Sequence, residues 1–329
     1  MKRKIIGITI IVIGCCFVLY PIIGNIVNVI RQNNVQAEYN AMVQTLNDET
    51  KTTLKSDADD YNKKLAAGDL NVISTDEDSL EENYDDGTGY RSALDIGTGE
   101  IAFITIPKID VRLPIYRGTN PETLEKGIGH LRNTSLPVGG ESTHCVLTGH
   151  TGLPSAELFT GISKLTEGDL FYIQYLDEIH AYSVDQIKVV EPNDSSDLKI
   201  FPGKDYITLL TCYPYGINSH RLLVRGERVP YNGTIEYNND GTVKGVSATE
   251  QAETLDTPAA DAGEGSALFD DFTNHTAKVS VYGYHMALGT IIVIVSIVIA
   301  AVLAAATFTV VSIVKQRKRS RNGTEENEQ

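Results

Sequence analysis

Cysteine, arginine and histidine are spaced in this chain as acyl-transfer chemistry requires. Within residues 206–226, YITLLTCYPYGINSHRLLVRG, Cys212 closes one apolar run and Arg221 opens the next. Ile207, Leu209 and Leu210 mark a strand, Pro214, Tyr215, Gly216 and Asn218 a turn, and Leu222, Leu223 and Val224 a second strand. Cys212 and Arg221 then fall at the same end of two neighbouring strands. A thiolate there can attack a carbonyl while a fixed cation steadies the charge that develops on oxygen. The third group needed is a base. His150 closes another apolar run, HCVLTGH, and is followed at once by TGLP, so it too stands where a strand gives way to a loop.

Other residues compete for these roles. Of the seven histidines, His275 and His285 lie near a C-terminal apolar segment and His180 lies among acidic residues read as loop, which sets these three aside. Spacing alone does not dismiss His130, His144 or His220, although strand alternation turns His220 away if Arg221 faces the site. Arg225, on the same strand face as Arg221, is its backup. Cys15 and Cys16 sit in an apolar N-terminal run, and Cys145 sits in a strand on the face opposite His150, which makes it a core residue. A functional thiol and a Cys145–Cys212 disulfide are the alternatives, and the disulfide would silence the nucleophile.

Thr208-Leu209-Leu210-Thr211-Cys212 is similar to the TLxTC motif of sortases, the cysteine transpeptidases of Gram-positive cell surfaces, and Arg221 follows at the family's interval. Residues 149–159, GHTGLPSAELF, and the run PYGINSHRLLVRG resemble the class C, pilin-polymerising branch. The likeness covers roughly residues 99–229. It implies a mainly β fold, a closed eight-stranded barrel with short helices. It also implies that Cys212 attacks the Thr-Gly bond of an LPxTG-type signal to form a thioacyl enzyme, that His150 protonates the leaving amine, and that Arg221 steadies the substrate or the oxyanion. A lysine amine of another pilin then resolves the intermediate as an isopeptide bond. No metal or organic cofactor is needed for this, and no Cys/His cluster has zinc spacing. The branch's Asp-Pro-aromatic lid tripeptide is missing here, so the lid is not carried over. A hydrolase using the same residues, a housekeeping sortase acting on peptidoglycan and a non-catalytic surface module are the alternatives.

The elements that must hold these residues lie between two apolar ends. Residues 5–30 are almost wholly apolar and long enough to cross a bilayer, which takes about 20 helical residues. A cleaved signal peptide is the rival reading, disfavoured because the run exceeds a signal core of ~7 to 15 residues. A second apolar segment covers 287–314, followed by the basic run KQRKRSR. With Lys2, Arg3 and Lys4 ahead of the first span, both termini are expected in the cytoplasm and the middle outside the cell. Four of the 28 basic residues lie up to Arg31 and five from Lys315 onward, leaving 19 against 40 acidic residues between them. So acidic a middle argues against nucleic-acid binding, which relies on Lys and Arg.

The chain therefore divides into a cytoplasmic tip and anchor (1–31), a helical region and acidic loop (32–98), the catalytic barrel (99–230), a flexible polar tether in which 231–246 could add a hairpin (231–286), a second span (287–314) and a basic tail (315–329). In the second of these, Tyr39, Met42, Leu46 and Leu54 recur at helical intervals, and 71–98 is loop by composition, serving as link or lid. Strands are expected at 101–106, 111–116, 143–148, 170–175, 181–190, 207–211 and 222–225, with helical patterns at 123–127 and 156–162. The partners implied are pilins bearing sorting signals and acceptor lysines, and membrane lipid.

Overall fold

Short apolar runs separated by Gly, Asn and Asp turns become strands that wrap into a barrel. The computed structural model describes residues 2–68, 89–153, 156–237, 243–248, 278–281 and 284–287, with isolated positions 296, 307, 311 and 314. They belong to two units, Ile30–His275 in one and Met1–Val29 with Thr276–Gln329 in the other.

The larger unit carries β1 (Glu100–Ile106), β2 (Val111–Arg117), β3 (Ile128–His130), β4 (Thr143–Thr148), β5 (Leu170–Tyr175), β6 (Glu178–Val190), β7 (Asp205–Tyr213), β8 (His220–Tyr237) and β9 (Val243–Ala248). Their order is β6-β5-β1-β2-β3-β4-β7-β8-β9, and β6 pairs again with β8. That second pairing closes eight strands on one another and leaves β9 as an extension of β8. Closure removes the exposed sheet edges that an open sheet would present. Phe103, Leu147, Phe171, Ile173, Leu209 and Val224 fill the interior.

The C-terminal part of one helix, from Ile30 on, and the whole of a second cover one side of the barrel. Helix α1 (Lys2–Thr45) ends just before Asn47, whose side chain accepts the Thr50 N–H at 2.7 Å and so starts α2 (Asp48–Ala66). In α2 the buried residues Ala58, Tyr61, Asn62 and Leu65 keep helical spacing. Asn62 accepts from Leu136 N at 2.7 Å and donates to Leu136 O at 3.2 Å, while Tyr39 packs edge-on against Phe103 and accepts from Leu176 N at 2.8 Å. Cover on this side explains why β1 is buried at every position instead of alternating.

Some expectations hold and others need correction. Positions 89–98 are turn and bend, as their composition suggested, but they are packed: Tyr90, Ala93, Leu94 and Ile96 are buried, and the Arg117 guanidinium donates to the Tyr90 and Ala93 carbonyls. The rest of the acidic loop, 71–88, lies outside the described residues. The helical pattern at 123–127 becomes α3 (Pro121–Lys126), capped by Asn120. The pattern at 156–162 does not become an α-helix. Phe159 N–H turns back to His150 O at 3.1 Å, and only a 3-10 turn follows over Thr160–Lys164. His180 lies within β6, not in a loop. The polar tether begins with a hairpin of β8 and β9, and 249–277 lies outside the described residues.

In the smaller unit, the first part of α1 includes all but the last residue of the apolar run 5–30, and β10 (Lys278–Val281) pairs with β11 (Tyr284–Ala287) in a hairpin the sequence did not announce. Most side chains of the first apolar run, the second segment apart from isolated positions, and the basic tail lie outside the described residues. Among the described residues, no helix is long and apolar enough to cross a membrane.

Candidate active site

Two strand pairings bring the three candidate residues to one end of the barrel. β7 and β8 run antiparallel with Cys212 directly opposite Arg221. β4 and β7 run parallel with Val146 opposite Thr208 and Thr148 opposite Leu210. His150 is two residues beyond Thr148 as Cys212 is two beyond Leu210, so the register carries His150 alongside Cys212. The pairing persists past the end of β4, where Gly149 N–H donates to Leu210 O at 3.1 Å and Thr211 Oγ1 donates to Gly149 O at 2.6 Å. The hydroxyl just before Cys212 thus ties down the carbonyl just before His150. A glycine is required there, because a Cβ on Gly149 would stand 2.6 Å from the Ile128 side chain and 3.0 Å from the Phe159 ring.

Strand alternation then decides which way each side chain points. Cys145, Leu147, Ile207, Leu209, Leu222 and Val224 belong to the main core. Val146, Leu210, Leu223 and Val190 join a separate cluster with Leu131 and Leu198 on the other face. Cys212 and Arg221 share the parity of Leu210 and Leu223, so they project from the outer face. Cys145 projects inward and is buried. Both cysteines are free thiols, and the Cys145–Cys212 disulfide does not form.

Four of the competing histidines have other partners. The His130 ring bonds Tyr90 Oη and Ser135 O, each at 2.8 Å, and the His144 ring bonds Lys199 O and Thr208 Oγ1, each at 2.7 Å. His180 meets Tyr175 Oη at 3.3 Å and Glu178 at 3.6 Å, and His220 meets Ser219 Oγ at 2.8 Å and Glu191 at 3.5 Å. His275 lies outside the described residues, and His285 is in β11. The half-buried His150 ring makes no hydrogen bond among the described residues. Arg221 donates to His220 O at 3.2 Å and Asn218 O at 3.4 Å and meets no carboxylate among them. Arg225 is occupied: it forms a two-pronged pair with Asp185 at 2.6 and 3.0 Å. It is therefore a structural cation and no backup for Arg221.

Burial lowers the pKa of both His130 and His144 to about 4, each ring otherwise being partnered by a backbone carbonyl that favours the protonated form. Their folded values lie below the ordinary unfolded value near 6.5, so the unfolded chain binds protons first as pH falls. Their contribution is complete above about pH 6.5 and lost as pH drops toward 4; at pH 5 the deficit is about 2 kcal/mol for each ring. The urea midpoint of the larger unit's unfolding should accordingly fall between pH 7 and pH 5, and an unchanged midpoint would contradict burial of these rings.

A sequence profile for the sortase domain matches residues 104–229. Sortase D of Bacillus subtilis is 30% identical over 186 residues, which are 56% of this chain and 86% of that protein. The crystal structure of Streptococcus agalactiae sortase C1 in complex with MTSET is 43% identical, covers 60% of this chain and 97% of its own, and superposes with a TM-score of 0.55. The chain belongs to the sortase family. Sortase C of Streptococcus pneumoniae is similar to the same degree, 43% identical over 60% of this chain and 97% of its own with a TM-score of 0.54. These likenesses place this sortase in class C. What sequence reading of the sortase site missed was the pair of hydroxyls from Thr208 and Thr211, whose partners are His144 on β4 and the Gly149 carbonyl just past its end.

Proposed function

We propose that this sortase is a membrane-anchored cysteine transpeptidase that cleaves LPxTG-type signals between Thr and Gly and joins pilin subunits through lysine side chains. The observation that carries the reading is the Cys212–Arg221 register pair with His150 alongside, two residues past the end of β4. The Cys212 thiolate attacks the Thr carbonyl carbon, and the negative charge that forms on oxygen meets the Arg221 guanidinium, which has no competing carboxylate among the described residues. The tetrahedral intermediate collapses as the C–N bond breaks. His150 gives a proton to the departing glycine amine, leaving a thioester on Cys212. A lysine amine then attacks the thioester carbonyl and loses a proton to His150, and the C–S bond breaks to return the thiolate. The product is an isopeptide bond, and no redox partner enters. Similarity to the sortase C structures supports the pilin substrate. The experiment is to incubate the purified full chain with an LPETG peptide, with and without a lysine-bearing pilin domain: an adduct on Cys212 and an isopeptide product support the reading, and release to water alone overturns the transpeptidase assignment.

Anchoring rests on the two apolar runs and their basic flanks. Two spans, with both termini in the cytoplasm, put the acidic catalytic unit outside the cell, where sorting signals are met. Protease added to intact cells should remove the central region while tags at both termini stay protected. Cleavage of either tag in sealed cells would overturn this topology.

A further inference from the structure

The outer face that carries Cys212 and Arg221 continues down β7 and β8 to a polar and aromatic assembly. Thr208 lies four residues before Cys212 on the same face, ~13 Å along the strand. Beside it His144 projects from β4, and opposite it Arg225 projects from β8. His144 and Arg225 engage the connection between β6 and β7, residues 191–204, the latter by covering the Phe201 ring, and Thr208 reaches it through His144. His144 Nδ1 lies 2.7 Å from Lys199 O, and a carbonyl can only accept, so Nδ1 carries the proton. Nε2 is then an acceptor, and the hydroxyl of Thr208 donates to it at 2.7 Å. Phe201 packs on His144 with ring centroids 6.2 Å apart and on Tyr206 at 5.7 Å. The Arg225 guanidinium covers the Tyr206 ring at 4.1 Å while pairing with Asp185. Farther up, Leu198 joins Leu210 and Leu223 in the outer cluster.

The 191–204 connection thus stands on the sheet face that leads to Cys212, as a wall beside it. A peptide whose Thr carbonyl is at Cys212 Sγ has its Leu three residues upstream, ~10 Å away if extended. If the acyl half lies over the strand side of the nucleophile, where the sheet supplies a floor, that Leu falls level with the stretch between Leu210 and Thr208. The wall meets the sheet there, and one of its ties to the sheet is the Lys199 carbonyl held by the His144 imidazole.

We propose that His144 is a positioning residue of this sortase: oriented by Thr208 and bonded to Lys199 O, it holds the 191–204 wall in the place that binds the acyl half of the sorting signal. The inference rests on the transpeptidase reading above. It gives the first threonine of TLLTC a task separate from that of the second, since Thr208 orients the ring behind the wall whereas Thr211 ties the strand ends beside the nucleophile. Removal of the latch loosens ground-state binding, so it acts on KM with little change in kcat.

The test uses the full chain and a fluorogenic LPETG peptide. Thr208→Val keeps the side-chain shape and removes the donor, His144→Phe keeps a ring and removes both bonds, and Thr208→Ser restores the hydroxyl. The expected result is a KM about tenfold higher in Thr208→Val and His144→Phe with kcat within threefold, and a parental KM in Thr208→Ser. Amide exchange across 196–204 should speed up in the first two variants only, and alkylation of Cys212 by iodoacetamide should keep its rate in all three. If His144→Phe does not fold, Thr208→Val decides alone. An unchanged KM in Thr208→Val, or a loss confined to kcat, overturns the latch. A parental chain that does not cleave the peptide overturns the transpeptidase reading instead.

Discussion

Cys212→Ala should form neither a thioacyl adduct with an LPETG peptide nor an isopeptide product, with turnover reduced at least ~10⁴-fold, the scale seen when a covalent nucleophile is deleted. Cys145→Ala should keep activity within a few-fold of the parent. The contrast follows from alternation on neighbouring strands. Cys212 is half-buried on the outer face opposite Arg221, whereas Cys145 is buried in the main core, where burial pushes its thiol well above the ordinary range. A thiol held protonated and enclosed is a poor nucleophile. Exchanging its sulfur for hydrogen leaves only a small cavity, which costs about 1 kcal/mol of stability. Intact-protein mass spectrometry after mixing with peptide reads the adduct directly, and circular dichroism checks that both variants are folded. An adduct surviving in Cys212→Ala and absent from Cys145→Ala would move the active site to the opposite face of β4.

Local sequence carried the strands that flank the site because each is an apolar run bounded by turn residues. β4 and β5 begin and end where the apolar pattern does. β3 was missed because Ile128-Gly129-His130 is only three residues long, and its strand character comes from pairing with β2 on one side and β4 on the other. His180 was misplaced because Asp177 and Glu178 suggest a loop. Those carboxylates instead meet Lys51 and Lys55 on α2, some 120 residues earlier, which lets the strand begin among charges. Gly, Asp and Ser content marks residues 89–98 as loop, which they are, but not as buried, because burial of Tyr90 is secured by His130, a partner that no local window contains. The same limit applies at the site. Motif spacing singled out Cys212, His150 and Arg221, whereas the preoccupation of Arg225 with Asp185 and of His144 with Lys199 depends on contacts 40 and 55 residues apart.

Arg221→Ala should lower peptide cleavage ~100-fold or more, the usual cost of losing one preorganised donor to a developing oxyanion, and His150→Ala should lower it by a similar or larger factor through loss of proton transfer. A second reaction separates the two roles. Alkylation of Cys212 by iodoacetamide displaces iodide from carbon and builds no oxyanion, so it reports only the supply and access of the thiolate. Arg221→Ala should therefore keep its alkylation rate within a few-fold of the parent while cleavage collapses. His150→Ala should slow both reactions, because the register sets this imidazole beside Cys212 as the base that takes the proton from the attacking thiol. Arg225→Ala serves as the internal comparison. It breaks the two-pronged pair with Asp185 and uncovers the Tyr206 ring, so its effect belongs to stability and KM, with kcat close to the parent. Cleavage that survives within threefold in Arg221→Ala but falls a hundredfold in kcat in Arg225→Ala would transfer the oxyanion role to Arg225, against the register that sets Arg221 directly across from Cys212.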